Sequence, residues 1–197
     1  TSGVTGVSAG ASATLRWTVS NGSCTAATDD VVITNNNNPT AVITNNTGTT
    51  ELTCATTSIS VTASGGSSYS WDNSLGSNAA ATISGANTYT VTVTDGNSCT
   101  DTESITVTSN TTAPTAGITN NTGSTELTCA TTSISVTATG GSSYSWDNSL
   151  GSNAAATISS ANTYTVTATA ANGCTDTESI TVTSNTTAPT ASAGEDF

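Results

Sequence analysis

Residues 87–108 read NTYTVTVTDGNSCTDTESITVT and carry the clearest structural signal in the chain. Apolar side chains alternate with threonine in residues 89–93 (YTVTV) and again in residues 105–107 (ITV). Because successive side chains of a β-strand point to opposite faces, this alternation puts the apolar residues on one face and the hydroxyls on the other. The Asp-Gly pair at residues 95–96 is typical of a turn, so the stretch predicts a β-hairpin.

The stretch belongs to a repeat, because residues 40–114 and 115–189 are two copies of one 75-residue unit. The copies match at 67 of 75 positions, and the differences run from Val42/Gly117 to Ser98/Gly173. An enzyme rarely needs its active domain twice in near-identical form, whereas a tether, stalk or filament gains length or valency with each copy. The repeat therefore favours a structural or adhesive role over catalysis.

Each unit is predicted to contain six or seven short strands separated by glycine and asparagine, without any apolar stripe of helical spacing. This pattern predicts an all-β chain of tandem immunoglobulin-like or PKD-like β-sandwich domains arranged end to end. The predicted strands of the first copy are Ala41–Thr44, Glu51–Cys54, Ser58–Ala63, Ser68–Trp71, Ala80–Ile83, Thr88–Thr94 and Thr100–Thr108. The predicted core is Leu52, Ile59, Val61, Tyr69, Trp71, Leu75, Ile83, Tyr89, Val91, Val93, Ile105 and Val107.

Prolines at positions 39, 114 and 189 mark the predicted domain junctions. Because proline fixes φ and removes a backbone donor, these joints are expected to be short and stiff. The predicted domains are the C-terminal part of a preceding sandwich (1–38), two immunoglobulin-like repeats (39–113 and 114–188) and the start of a following domain (189–197).

Each repeat has two cysteines 45 positions apart, which predicts the disulfides Cys54–Cys99 and Cys129–Cys174. Such a bond would contribute roughly 4 kcal/mol to a domain with a thin core. Two cysteines without histidine do not form a tetrahedral zinc site, so disulfides and an oxidising, extracellular setting are expected. Cys24 aligns with Cys99, and its partner is expected outside these residues.

Charge excludes several classes of function. The chain has a net charge of −12, a single basic residue and no histidine. Nucleic-acid binding needs basic side chains, and an anionic membrane would repel the chain. The apolar runs are too short to span a bilayer. Without histidine and lysine the usual general bases and nucleophiles are missing, so neither an enzyme nor a cofactor is expected.

Acidic side chains offer two further candidate sites. Asp101 with Glu103 and Asp72 with Glu51 could form carboxylate pairs, but the domains are too small for a glycosidase groove, and solvated carboxylates are the better interpretation. Carboxylates near domain ends could also bind calcium. Ala170 replaces Asp95 in the second copy, so no metal site is predicted. The residues of the calcium candidate set are Asp29, Asp30, Asp95, Glu195 and Asp196.

The repeated aromatic residues are predicted to be structural. Trp71 and Trp146 lie in mid-strand and are interpreted as core residues, with sugar stacking as an alternative that requires an exposed indole. Tyr89 and Tyr164 begin a strand, where a buried ring with its hydroxyl bonded to nearby backbone is typical. The threonine rows could also order water in an ice-binding array, although threonine simply makes soluble strands.

The segments LTC, GGSSYSW, NTYTVT, GCTDT and SITV resemble the repeats of giant, SprB-like gliding adhesins on the surface of Bacteroidota. Residues 17–24 and 189–196 resemble the PKD-like or immunoglobulin-like modules that alternate with such repeats. The resemblance implies export by the type IX secretion system and a role in surface attachment or gliding. It implies as partners the outer-surface anchoring or motility machinery and external surfaces or polysaccharide, while lateral association of filaments stays open.

These observations predict a spacer or stalk segment of a very large, secreted cell-surface adhesin filament. Two alternatives stay open, a carbohydrate-binding module and an accessory β-domain region of a secreted hydrolase. An exposed Trp71 would favour the first alternative.

Overall fold

The computed structural model describes residues 4–191, and these residues contain strands, turns and loops but no helix. The all-β class is therefore confirmed. The strands are β1 Ser12–Val19, β2 Ala27–Thr34, β3 Val42–Asn45, β4 Glu51–Thr53, β5 Ile59–Ser64, β6 Ser68–Trp71, β7 Ala80–Ile83, β8 Asn87–Thr94, β9 Thr100–Asn110, β10 Gly117–Asn120, β11 Glu126–Thr128, β12 Ile134–Thr139, β13 Ser143–Trp146, β14 Ala155–Ile158, β15 Asn162–Thr169 and β16 Thr175–Asn185.

The chain divides into two compact units whose limits differ from the repeat boundaries. Unit 1 comprises Thr1–Glu51 and Ser58–Thr108, and unit 2 comprises Leu52–Thr57 and Ser109–Phe197. The short segment Leu52–Thr57 belongs by sequence to the first repeat, yet it forms part of the second unit. The domain limits derived from the sequence stay a prediction, and most of the expected following domain lies outside the described residues.

Unit 2 contains a two-sheet sandwich. Its three-stranded sheet has the order β10-β12-β14, and its four-stranded sheet has the order β11-β16-β15-β13. All these strand pairs are antiparallel except β11 with β16, which run parallel. The inward faces meet in a core whose largest wholly buried side chains are β-branched, as expected for side chains packed on pleated surfaces. They include Ile134, Val136, Ile158, Val166 and Val182.

Unit 1 repeats the pairing β3-β5-β7 and the pairing of β6, β8 and β9. The strands at 68–71 and 80–83 match the predicted bounds, whereas β9 extends two residues beyond the prediction, to Asn110. Most of the predicted core is buried, but Tyr69, Leu75 and Ile105 are only half-buried. Small side chains complete the interior, namely Ala41, Ala63 and Ala81.

Contacts within the same unit hold the first residues of each repeat in place. In unit 2 a Cβ on Gly140 (φ +93°) would lie 1.8 Å from the carbonyl oxygen of Thr115, so only glycine permits this approach. The next residue, Ala116, donates its backbone N–H to Oδ2 of Asp176 at 2.9 Å. Asp101 accepts the corresponding N–H of Ala41 at the same distance in unit 1. These half-buried aspartates therefore anchor the first strand, which corrects the interpretation of Asp101 as a solvated carboxylate.

The hairpin of β1 and β2 leaves an apolar face open. Leu15 pairs with Val31, and Trp17 and Val19 follow on the same face of β1. Trp17 is 72% exposed, Val19 56% and Val31 57%. In unit 1, the tyrosine and valines of β8 that alternate in the same way are buried. The hairpin therefore has the pattern of a sandwich strand pair without the cover that β8 has.

Candidate functional site: the cystine of Cys54 and Cys174

The structure contains one cystine among its described residues, between Cys54 and Cys174. The two Cα atoms lie 5.0 Å apart, and 120 positions separate the residues in sequence. Cys54 comes from the Leu52–Thr57 segment and Cys174 from the turn before β16, so both belong to unit 2. In terms of the repeat, the first cysteine of one copy is bonded to the second cysteine of the next copy.

This bond corrects the predicted pairs Cys54–Cys99 and Cys129–Cys174, which are wrong. Thr128, the last residue of β11, lies opposite Asn185 at the end of the parallel strand β16, and Cys129 follows directly. Cys174 precedes the first residue of β16. An 11-residue strand at about 3.3 Å per residue separates these ends by roughly 35 Å, whereas a cystine needs Cα atoms within about 7 Å. β4 and β9 occupy the corresponding positions beside Cys54 and Cys99.

A threonine turn presents Cys54. The Oγ1 atom of Thr53 accepts the backbone N–H groups of Ala55 at 3.2 Å and of Thr56 at 2.9 Å. The N–H of Thr53 in turn donates to the carbonyl oxygen of Thr56 at 2.9 Å. The chain therefore reverses tightly around Cys54, which projects from the end of the short strand.

A second turn presents Cys174, whose side chain is buried at 2% exposure. The N–H of Ala170 donates to the carbonyl oxygen of Cys174 at 2.9 Å, and the N–H of Gly173 donates to that of Ala170 at 3.0 Å. Gly173 has φ +79°, and a Cβ there would lie 2.7 Å from the Cβ of Ala55. The turn and the Cys54 segment therefore approach closely because residue 173 lacks a side chain.

Asn172 joins the cystine region to the linker between the repeats. Its Nδ2 donates to the carbonyl oxygen of Asn110 at 3.2 Å and to that of Thr112 at 2.9 Å. Its own carbonyl oxygen accepts the N–H of Ala55 at 3.4 Å. One asparagine therefore holds the linker and the Cys54 segment against the same turn. The sequence did not predict this role, because an asparagine shared by two copies that match at 67 of 75 positions does not stand out.

Three cysteines of the described chain are free thiols: Cys24, Cys99 and Cys129. Cys99 is half-buried, and the other two are exposed. The Sγ of Cys129 lies 3.9 Å from the carbonyl oxygen of Thr186, just beyond β16. The expectation that Cys24 pairs outside these residues stays a prediction.

The aromatic candidates lie in the sandwich interiors. Trp71 is 6% exposed and Trp146 is 5% exposed. Each indole Nε1 donates at 3.0 Å to a backbone carbonyl oxygen, that of Asn78 for Trp71. The hydroxyls of Tyr89 and Tyr164 likewise donate at 3.0 Å to a carbonyl oxygen four residues earlier. A sugar ring cannot stack on either of these indoles, since stacking requires an exposed aromatic face.

Carboxylates of the candidate sets bind backbone groups of their own unit. Asp72 accepts the N–H of Thr90 at 2.9 Å through Oδ1. Asp95 accepts the N–H groups of Asn97 and Cys99 at 2.8 Å. In residues 4–191 no cluster of three or more acidic or cysteine side chains could hold a metal, and no pocket occurs. Two members of the calcium set, Glu195 and Asp196, lie outside the described residues.

One ion pair fixes the side chains of the β1–β2 hairpin. Nε and Nη2 of Arg16 donate to the two carboxylate oxygens of Asp30 at 2.8 Å each. This hydrogen-bonded pairing lowers the pKa of Asp30 and raises the pKa of Arg16. Both side chains are exposed, so the pair contributes little to stability.

Within the part of the chain that is described, no helix has the length and apolar character needed to cross a membrane.

Two solved structures are similar to the chain. The first is described as structural insight into host cell surface retention of a 1.5-MDa bacterial ice-binding adhesin. It is 18% identical in sequence to this chain and has a TM-score of 0.50, and the match covers 89% of this chain and 75% of that one. The other contains fibronectin(III)-like modules of Clostridium thermocellum CbhA, with 12% identity and a TM-score of 0.34 over 73% of this chain and 95% of that one. No protein-family model and no curated protein matches the sequence. The first likeness shows a shared β-sandwich fold.

Proposed function

We propose that this chain is a structural spacer segment of a large adhesive filament on the outside of a cell, and that it has no catalytic role. The observation that supports this proposal most strongly is the cystine between Cys54 and Cys174. It ties a segment of one near-identical repeat to the turn of the next. A covalent bond across a repeat boundary serves a chain that has to keep its length and connectivity.

The cystine also supports an extracellular location. Disulfides form and persist in oxidising compartments and are rare in the reducing cytosol. The net charge of −12 on 197 residues suits a filament, because negative charge keeps neighbouring filaments apart. The fold shared with an adhesin domain is compatible with this role.

The exposed hairpin supports the proposed domain order. Trp17, Val19 and Val31 form an apolar face that a folded sandwich would cover. We propose that residues 1–38 are the last part of a further sandwich domain, whose remaining strands cover this face. We also propose export by type IX secretion, a role in gliding, and contacts with surface machinery or polysaccharide, as the sequence resemblance implies.

The proposal is tested on cells that produce the protein. An antibody against the repeat should label intact, unpermeabilised cells, and electron microscopy should show the label along thin surface fibres. Deleting the repeats in frame should shorten the fibres and weaken attachment to glass without changing secreted enzyme activities. Labelling only after permeabilisation, or an intact fibre without the repeats, would refute the spacer role.

A further inference from the structure

The free thiol of Cys129 occupies the same local setting as the bonded Cys54. Residues 126–135 read ELTCATTSIS, identical to residues 51–60. Thr128 Oγ1 accepts the N–H groups of Ala130 at 3.2 Å and of Thr131 at 3.0 Å, which reproduces the turn around Cys54. The structure therefore contains two copies of one half of the cystine site, of which one is bonded and the other is an exposed thiol.

The linker that receives the bonded turn is also duplicated. Asn110 and Thr112 accept the side-chain N–H groups of Asn172 beside the cystine. Residues 184–189 (SNTTAP) repeat residues 109–114, and Cys129 lies against this second linker at the carbonyl oxygen of Thr186. The cysteine, its turn and the adjacent linker are thus all in place around Cys129.

The partner for Cys129 has to come from outside its own copy of the repeat. Cys174 of its own copy is bonded to Cys54 and lies at the opposite end of β16. The bond that does form pairs the first cysteine of one copy with the second cysteine of the next. The bond of Cys54 shows that a cysteine at this position of the repeat can pair with a turn of this type.

We propose that Cys129 forms a disulfide with a Cys174-type cysteine of the domain that follows the second repeat. Residues 190–197 (TASAGEDF) differ from the start of the repeat, but Cys24, which aligns with Cys99, shows that a neighbouring domain of different sequence can carry this cysteine. Two thiols lose two protons and two electrons as the sulfur–sulfur bond forms. A disulfide oxidant, such as glutathione disulfide, accepts them and is reduced to two thiols. This disulfide would form whether or not the chain takes part in adhesion.

The residue before the incoming cysteine determines how closely its turn can approach the segment that carries Cys129. Gly173 allows the turn to approach Ala55, where a Cβ would lie 2.7 Å from the Cβ of Ala55. The first copy has Ser98 at this position. A Gly-Cys turn of the second-copy type therefore suits Cys129, whereas a Ser-Cys turn requires the Ala130 segment to shift.

The test inserts one further copy of residues 115–189 after Pro189, so that both new junctions keep the natural Pro-Thr sequence. The natural chain and the extended chain are refolded with glutathione disulfide. Free thiols are then counted by alkylation and intact mass, and gels without reductant report bonds between chains. The natural chain should show three free thiols, and the extended chain should again show three because both added cysteines are balanced by one new bond.

Two serine variants of the extended chain identify the partners. Cys129→Ser in the original copy should raise the count to four, because it frees the inserted Cys174. Cys129→Ser in the inserted copy should lower the count to two, because that thiol is free. Reversed counts would mean pairing within the inserted copy, five thiols in the extended chain would mean no bond, and a dimer through Cys129 would mean pairing between chains. Each of these three results overturns the proposal.

Discussion

Gly173 lies so close to Ala55 that a Cβ on residue 173 would be 2.7 Å from the Cβ and 3.0 Å from the backbone nitrogen of Ala55. Real Cβ atoms do not approach a neighbour this closely, so the missing side chain permits the contact. The two residues flank the cystine, one directly before Cys174 and the other directly after Cys54. The distance to which residues 173 and 55 can approach therefore controls whether the sulfur atoms of Cys54 and Cys174 reach bonding distance.

Gly173→Ala should destabilise the oxidised protein more than Gly123→Ala does. Both glycines have positive φ, +79° and +76°, so both variants suffer about 1–2 kcal/mol of backbone strain. Nothing lies within 4 Å of a Cβ on Gly123, whereas at Gly173 the Ala55 segment has to move, which costs about a further 1–3 kcal/mol. Urea unfolding measures the difference. Equal losses for the two variants would show that the approach to Ala55 is not tight.

Cys54→Ser should lower the free energy of unfolding much more than Cys129→Ser. The cystine closes a loop with a sequence separation of 120, for which chain entropy gives up to about 5 kcal/mol. Cys54 and Cys129 have identical neighbours in sequence, both are exposed, and both lie in the same threonine turn, so the serine itself is introduced into the same local turn in each variant. Urea unfolding without reductant provides the measurement. If dithiothreitol destabilised Cys54→Ser as much as the natural chain, the cystine could not be the source of the difference.

Asn172→Ala should loosen the linker and expose the cystine to reduction. The variant removes the side-chain donor to Asn110 and Thr112 and leaves their carbonyl oxygens to water, at a cost of about 1–2 kcal/mol. Asn97→Ala, at the equivalent exposed position of the first copy, is the matched control. The rate of reduction by dithiothreitol should rise for Asn172→Ala and stay unchanged for Asn97→Ala. If both variants were reduced at the same rate as the natural chain, the linker role of Asn172 would be contradicted.

The carboxyl of Asp30 should titrate at a higher pH in Arg16→Gln. The Arg16 hydrogen bonds favour the charged carboxylate and lower its pKa. A carboxyl with a lowered folded-state pKa stabilises the fold above its unfolded pKa and loses this contribution as the pH falls through the folded pKa. Carbon NMR of the Asp30 carboxyl against pH, in the natural chain and in Arg16→Gln, measures the shift. An unchanged Asp30 titration would show that the pair does not persist in solution.

The strands could be predicted from sequence because their information is local. Alternation such as Tyr89-Thr-Val91-Thr-Val93 specifies both the strand and its buried face, and these three residues are buried. Half-burial of Tyr69 and Ile105 could not be predicted in this way, since it depends on how close each residue lies to the edge of the sandwich.

The disulfide connectivity could not be predicted because it depends on strand direction. Two cysteines 45 positions apart are compatible with a bond inside the repeat or with bonds between repeats. The parallel pairing of β11 with β16 excludes the first arrangement, since it puts Cys129 and Cys174 at opposite strand ends. A three-residue strand such as β11 carries no sequence signal for parallel pairing.

A pulling experiment should show that the cystine prevents most of the chain from extending under force. When tension is applied through the two termini, the covalent path runs from Cys54 directly to Cys174, so the span of 120 positions between them cannot be extended. At about 3.3–3.6 Å per residue, this span corresponds to roughly 400 Å of contour length. Single-molecule unfolding of the oxidised chain should fall short of that of Cys54→Ser by this amount, whereas Cys129→Ser should unfold with the natural contour length. Equal lengths for the natural chain and Cys54→Ser would mean that the bond is not formed under load, and the spacer would then lack its covalent brace.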